Sequence, residues 1–287
     1  MIVAGIQMDI AWEDPPRNFR RAEELAQRAM ERAMERTVEG AMEGLGEPTA
    51  LADPEVTPRL LVLPEMFATG FSMNAEEVSA FAQETREFLA GLASRLSVFV
   101  LGGYAEPGEP LPANACSIFA PNGVEVLHYR KLHPFSLAKE DRHYMAGDAL
   151  ATADLEGVRV TPLICYDLRF PEPFRPAART TDLYCLIANW PDKRREAWSI
   201  LLRARAIENQ AFVLGVNRVG IGSNERHAGD SVLVDPMGKV MDAVEAYEEG
   251  VVLGSVDPKE VLQVRRRLSF LKDRRPELYR NLEDSFR

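Results

Sequence analysis

"TPLICYDLRFPEPFR", residues 161–175, passes from an apolar run through Cys165 into tyrosine, aspartate and arginine, and then into a proline-containing stretch. Upstream, "VRVTPLIC" has the β-branched and apolar content of a buried strand. Downstream, proline suits a helix start, because its missing N–H is one the first turn leaves unused. Strand, tight turn and helix make a nucleophile elbow, which lifts one side chain above a sheet edge and aims backbone N–H groups at the same point. Cys165 occupies that turn. A free cysteine is more often a buried structural residue, so the elbow alone leaves both readings open.

Around this segment the chain alternates. "IVAGIQMDIAW", "LLVLP" and "VFVLGGY" read as strands before it, and "NACSIFAP" and "VEVLHYR" flank the "PNG" turn as a hairpin. "LYCLIAN", "AFVLGVNRV", "DSVLVDP" and "GVVLGSV" read as strands after it. Apolar residues at three-to-four spacing predict helices from near Asn18, over about 75–95, about 173–180 and about 194–209. The stretch from Gly44 to Arg59 is loop-like. With no Gly/Ser-rich linker, one α/β domain of stacked layers is expected. Residues 1–257 form that domain in this reading. Residues 258–287 form a helix and tail packed on the domain or on a partner subunit, because "LSFL" and "ELY" are costly to leave exposed.

Composition narrows the function. A net charge of −10 lacks the basic field that nucleic acid binding uses. The basic run "VRRRLSFLKDRRPELYR" mixes acids and apolar residues, as a solvated or subunit-contacting helix does. Three cysteines without a CxxC pair argue against a disulfide framework and for a reducing compartment. The N-terminus lacks a basic region before its apolar run, and no stretch is long enough to span a bilayer. A cytoplasmic protein without membrane or nucleic acid partners is expected.

A cysteine nucleophile needs a proton acceptor. His128, His133, His143 and His227 fall in no Cys–His signature, and Cys116 and Cys185 sit inside strands and read as core. Glu65 follows "LLVLP" directly, where desolvation makes a carboxylate a candidate base; a capping or turn role is the alternative. Six lysines stand against 28 arginines, and the first lysine is Lys131 in "HYRKLHPFS". In such a chain a lysine among aromatic and histidine neighbours suggests that its compact ammonium matters. No HExxH or Cys/His cluster calls for a metal, and no cofactor motif is present.

Together "LVLPEMF", "YRKLHPF" and "LICYDLRFPE" resemble the Glu–Lys–Cys sites of the nitrilase superfamily of carbon–nitrogen hydrolases. The resemblance extends from "GIQMDIAWEDPPRN" through "IANWPDKRREAWSILLRARAIENQAFVLGVNRVG" to "GDSVLVDPMGKV", and is greatest to the bacterial omega-amidase type. It implies a four-layer α-β-β-α sandwich, commonly a homodimer. It further implies Glu65, Lys131 and Cys165 as catalytic residues, and Glu140 in "AKEDRHY" as the second glutamate beside them. The implied substrate is a small omega-amide such as 2-oxoglutaramate, hydrolysed through a Cys thioester. On this reading the Tyr166 N–H joins Lys131 at the oxyanion, and Arg169 grips a substrate carboxylate unless it pairs with Glu172. His143 and Tyr144 line the pocket, and Asn189 and Trp190 shape its far wall. An aliphatic amidase, an N-carbamoyl amidohydrolase or a nitrilase fits the same three residues, and a non-enzymatic binding protein fits the sandwich.

Overall fold

The computed structural model describes residues 1–42 and 57–285. Most of the stretch read as a loop, Gly44 to Arg59, lies outside the described residues. Strand β1 (Ile2–Gln7) leads into helix α1 (Pro15–Met42), followed by β2 (Leu60–Val62), α2 (Ala75–Ser79), α3 (Ala82–Leu96), β3 (Phe99–Glu106), β4 (Ala113–Phe119) and β5 (Glu125–Arg130). Next come β6 (Ala153–Leu155), β7 (Val158–Ile164), α4 (Phe174–Ala177), β8 (Leu183–Ala188), α5 (Arg195–Asn209) and β9 (Phe212–Asn217). The chain ends with β10 (Val219–Gly222), β11 (Glu225–Ala228), β12 (Val232–Val234), β13 (Val240–Ala243), β14 (Gly250–Ser255), α6 (Pro258–Arg267) and α7 (Pro276–Ser285).

Two mixed six-stranded sheets result, ordered β14-β1-β2-β3-β4-β5 and β13-β12-β9-β8-β7-β6, with β10 and β11 as a separate hairpin. The apolar runs explain why they stack. Val3, Leu60, Val62, Leu101 and Ile118 of the first sheet share a core with Leu163, Leu186 and Val216 of the second. The alternate residues Ala4, Ile6, Leu61 and Val100 face the other way, against Leu25 and Ala29 of α1 and Leu89 and Leu92 of α3. A sheet covered on both faces requires near-continuous hydrophobic strands, as these are. On the far side, Trp198, Leu202 and Ala206 of α5 cover the second sheet. The layers are therefore helix, sheet, sheet, helix, in a single domain, as expected.

Three boundaries differ from the sequence reading, each for a local reason. Helix α1 starts at Pro15 and not near Asn18. Asp14 Oδ1 accepts from the Arg17 N–H at 3.1 Å, and both prolines sit where no N–H is needed. The helix expected over 75–95 is two, because the N–H groups of Ala80 and Phe81 turn back to Glu77 and Val78 in i→i+3 bonds. The strand read from "AFVLGVNRV" divides at Asn217, whose amide Nδ2 donates to Trp190 O at 3.0 Å and Gly229 O at 2.8 Å. Among the described residues no helix is long and apolar enough to cross a membrane.

Candidate active site

The two sheets bring several strand ends to one place. Glu65 lies just past β2, Lys131 follows β5 directly, Cys165 follows β7 and Asn189 follows β8. Cys165 has φ of +46°, a left-handed conformation that non-glycine residues adopt at a cost. The neighbouring Asp167 holds the turn in this shape. This buried carboxylate accepts from the Ile164 N–H at 3.0 Å, the Tyr129 hydroxyl at 2.7 Å and the His133 N–H at 3.0 Å. Tyr129 and His133 flank Lys131 in sequence, so Asp167 ties the cysteine turn to the loop carrying the lysine.

Glu65, Lys131 and Glu140 are all buried. The Lys131 ammonium donates to Glu65 Oε1 at 3.1 Å and to Glu140 Oε2 at 2.9 Å. Asn114, in β4, links the same two carboxylates, its Nδ2 donating to Glu65 Oε1 at 2.7 Å and Glu140 Oε1 at 2.9 Å. The other oxygen of Glu65 accepts from the Asn189 backbone N–H at 2.7 Å, and the Asn189 side chain donates to the Glu65 carbonyl at 2.6 Å. Close backbone packing fixes the position further. A Cβ on Gly103 of β3 would stand 2.9 Å from both Glu65 Cα and Met66 N, a separation that folded proteins do not show.

Two carboxylates and one ammonium out of water make a site whose charges are strongly interdependent. Burial alone would drive the Lys131 ammonium toward neutrality, but Glu140 and Glu65 outweigh it and hold its pKa well above the usual range. Burial pushes the Glu140 carboxyl upward, opposed by Lys131 and reinforced by Glu65. The Cys165 thiol is pushed well up by burial and by Glu65, against the pull of Lys131. It therefore rests as a neutral thiol beside a carboxylate, and its nucleophilic form arises only by handing over its proton. Cys165 is also the one cysteine with some accessibility, since Cys116 and Cys185 are buried.

A cavity of about 310 Å³ opens onto this group, and Cys165 and Lys131 are in its lining. Tyr166, Arg169, Asn189 and Trp190 line it as well. Trp190 packs against Trp198 with ring centroids 5.5 Å apart, so it serves core and cavity together. Arg169 makes no ion pair with Glu172 or with any other carboxylate among the described residues, and its guanidinium lies 4.8 Å from the Trp190 ring centroid. His143 is not brought to the cavity: its N–H bonds to Glu140 O at 2.9 Å within the loop. Tyr144 is likewise buried away from it, its hydroxyl donating to Ser72 O at 2.6 Å. Both residues follow Glu140 in a tight turn whose geometry aims Glu140, and not its neighbours, at Lys131.

Asn114, Asp167 and Arg194 did not stand out in the sequence, and His227 fell in no Cys–His signature. A polar residue within an otherwise apolar strand, as in "NACSIF", was the available signal for Asn114. His227 lines the cavity from the β10–β11 hairpin, which was not foreseen. Burial, then the nearby Arg218, lowers its pKa to about 4.

A thiol, a carboxylate and an ammonium at the strand ends of an α-β-β-α sandwich define a class, the hydrolases that cleave carbon–nitrogen bonds other than peptide bonds. The chain belongs to the carbon–nitrogen hydrolase family, whose profile matches residues 2–266. It is similar to the omega-amidase YafV of Escherichia coli K12, with 39% identity over 190 residues, covering 66% of this chain and 73% of that one. It is similar over nearly its whole length to the 2-oxoglutaramate amidase of Bacillus subtilis, with 30% identity, covering 96% of this chain and 98% of the relative. Among solved structures it resembles XC1258 from Xanthomonas campestris, a CN-hydrolase superfamily protein with an arsenic adduct in its active site. That likeness has a TM-score of 0.81 at 29% identity and covers 96% of this chain and 97% of the other.

Proposed function

We propose that this protein is an omega-amidase that releases ammonia from a small omega-amide of a 2-oxo dicarboxylic acid, such as 2-oxoglutaramate, through a thioester on Cys165. The observation that carries the reading is a cavity lined by Cys165 and by Lys131, whose ammonium is paired with buried Glu65 and Glu140, and by an arginine without a carboxylate partner among the described residues. The two amidase relatives set the substrate class.

Glu65 takes the thiol proton, and the sulfur attacks the amide carbonyl carbon. Negative charge on the carbonyl oxygen is met by the Lys131 ammonium and by the backbone N–H of Tyr166, at the start of the 3-10 turn Cys165–Arg169, where the first N–H groups have no partner within the turn. Glu65 returns its proton to the amide nitrogen, the carbon–nitrogen bond breaks, and ammonia departs. The resulting thioester is attacked by water, whose proton passes to Glu65. Collapse of that intermediate breaks the carbon–sulfur bond, and the sulfur recovers the proton. Glu140 holds Lys131 in place, and Arg169 grips the substrate carboxylate with two parallel N–H···O bonds. Asn189, which holds Glu65 through backbone and side chain, is a positioning residue with one edge on the cavity.

We further read residues 1–257 as the hydrolase domain and the remaining C-terminal segment as packing on it. A homodimer in the cytoplasm is the assembly this reading carries. Ile200 and Ile207 on α5 and Leu262 on α6 are exposed apolar side chains that a partner subunit would cover.

The function is tested by following ammonia release from 2-oxoglutaramate beside an aliphatic monoamide, a nitrile and an N-carbamoyl amino acid. Preference for the dicarboxylate amide by kcat/KM is expected. Preference for the nitrile or the N-carbamoyl compound would replace this reading with that of another branch of the family.

A further inference from the structure

The cavity holds more positive charge than the hydrolytic step uses. Lys131 is matched by Glu65 and Glu140, and Lys193 on the cavity wall by Glu225. Arg169 and Arg194 also line the cavity, and neither meets a carboxylate among the described residues. Each guanidinium lies on an aromatic face instead, Arg169 at 4.8 Å from the Trp190 ring centroid and Arg194 at 5.0 Å from that of Phe135. In a chain of net charge −10, two guanidinium groups without counterions beside one cavity form a local field that draws in an anion.

A single carboxylate gripped by one arginine uses two parallel N–H···O bonds. The second arginine then has donors for an acceptor next to that carboxylate. In an omega-amide of a 2-oxo acid that acceptor is the oxo oxygen, on the carbon adjacent to the carboxylate and able to lie in its plane. We propose that Arg194 reads the 2-oxo group, donating to the oxo oxygen while Arg169 holds the carboxylate; this rests on the omega-amidase reading above.

The way Arg194 is held supports the assignment. The Trp190 indole N–H donates to the Arg194 carbonyl at 2.8 Å, so the tryptophan that carries Arg169 on its face also anchors the Arg194 backbone. Phe135, the platform beneath the Arg194 guanidinium, donates its backbone N–H to Glu140 Oε2 at 2.5 Å. Glu140 in turn holds the Lys131 ammonium. The group that meets the scissile carbonyl and the group that meets the far end of the substrate are thus referred to one buried carboxylate. Such a frame reads both the oxo group and its distance from the amide.

The test compares 2-oxoglutaramate with the monoamide of glutaric acid, which has the same length and lacks only the oxo oxygen. The full-length wild type is expected to prefer the oxo substrate by about tenfold or more in kcat/KM, as a site built to pair with a polar group does. In Arg194→Met that preference is expected to fall by roughly tenfold or more, and Arg194→Lys to keep part of it. Phe135→Leu, which removes the platform and leaves Arg194 in place, is expected to shift the ratio in the same direction. An unchanged ratio in Arg194→Met, or an equal loss on both substrates, overturns the assignment. Wild-type hydrolysis of both amides without preference overturns it while leaving the amidase reading intact. Hydrolysis of neither, with turnover of a nitrile or an N-carbamoyl amino acid, overturns both.

Discussion

Asn114→Asp replaces one side-chain nitrogen by oxygen and changes almost no volume. In the native protein the Asn114 amide donates to Glu65 Oε1 at 2.7 Å and to Glu140 Oε1 at 2.9 Å. It is the neutral bridge between two carboxylates that share a single ammonium. Hydrogen bonds to charged groups contribute about 1.5–3 kcal/mol each. The ionised aspartate turns both attractions into repulsions and brings a third negative charge against one positive charge in a buried site. Losing one bond's worth of alignment at Glu65 alone corresponds to roughly 10- to 100-fold in rate, at about 1.4 kcal/mol per tenfold. The pH dependence is the sharper reading. Burial and two like charges raise the pKa of the new carboxyl, and its protonated form can still donate to one glutamate. Activity of Asn114→Asp should therefore be partly retained at low pH and fall as pH rises through that raised value, in a range where the wild type is still gaining or level. The assay is the kcat profile for ammonia release between pH 5 and 9, with thermal unfolding as a control for folding. A variant with the wild-type profile and a kcat within about threefold of it would refute the view that Asn114 holds the two carboxylates in register.

Cys165→Ala should abolish turnover, and Cys165→Ser should leave at most a small fraction of it; near-normal hydrolysis by either would remove Cys165 from the chemistry. Lys131→Met removes the ammonium proposed to meet the oxyanion and leaves Glu65 facing Glu140, so a rate loss of about 100-fold or more is expected in single-turnover measurements. Gly103→Ala places a Cβ 2.8 Å from Ile187 Cδ1 and 2.9 Å from the Glu65 backbone. A destabilisation of about 1–3 kcal/mol by denaturant unfolding should accompany a fall in kcat, and an unaffected kcat would show that Glu65 tolerates the displacement. His227, with a folded pKa lowered to about 4 by burial and by Arg218, is held neutral in the folded protein while the unfolded chain protonates near the ordinary value of about 6.5. The unfolded state therefore binds the extra proton, and this contribution to stability is complete above about pH 6.5 and is lost as pH falls toward 4. His227→Gln should flatten the dependence of Tm on pH in that window; an equal slope in both proteins would place the acid sensitivity elsewhere.

The apolar strands before Glu65 and Cys165 were legible in the sequence, and Lys131 stood out by the scarcity of lysine in the chain. The reason is local: a strand covered on both faces has to be hydrophobic throughout, so an ionisable residue or a thiol at its end stands out. Glu140 was found only through the family resemblance, because a glutamate between Lys139 and Asp141 looks like any solvated loop charge until the chain folds it against Lys131. His143 and Tyr144 were expected at the cavity, but the turn that aims Glu140 inward carries them away from it. The β10–β11 hairpin, with His227, was hidden because "AFVLGVNRV" reads as one continuous strand. It is interrupted by the Asn217 amide binding backbone carbonyls of Trp190 and Gly229, across 27 and 12 positions of chain.

By itself the sequence determined most of the elements and marked Cys165, Glu65 and Lys131 as candidates, since period, turn residues and isolated polar groups are properties of neighbouring positions. Only the tertiary structure decided what those side chains meet. Asn114 becomes a bridge between two carboxylates, Asp167 a brace for the cysteine turn, and Arg169 and Arg194 cations without counterions among the described residues, through contacts between residues far apart in the chain. The strength of a buried electrostatic contact depends on distance and on exclusion of water, and neither exists until the two sheets have closed on each other.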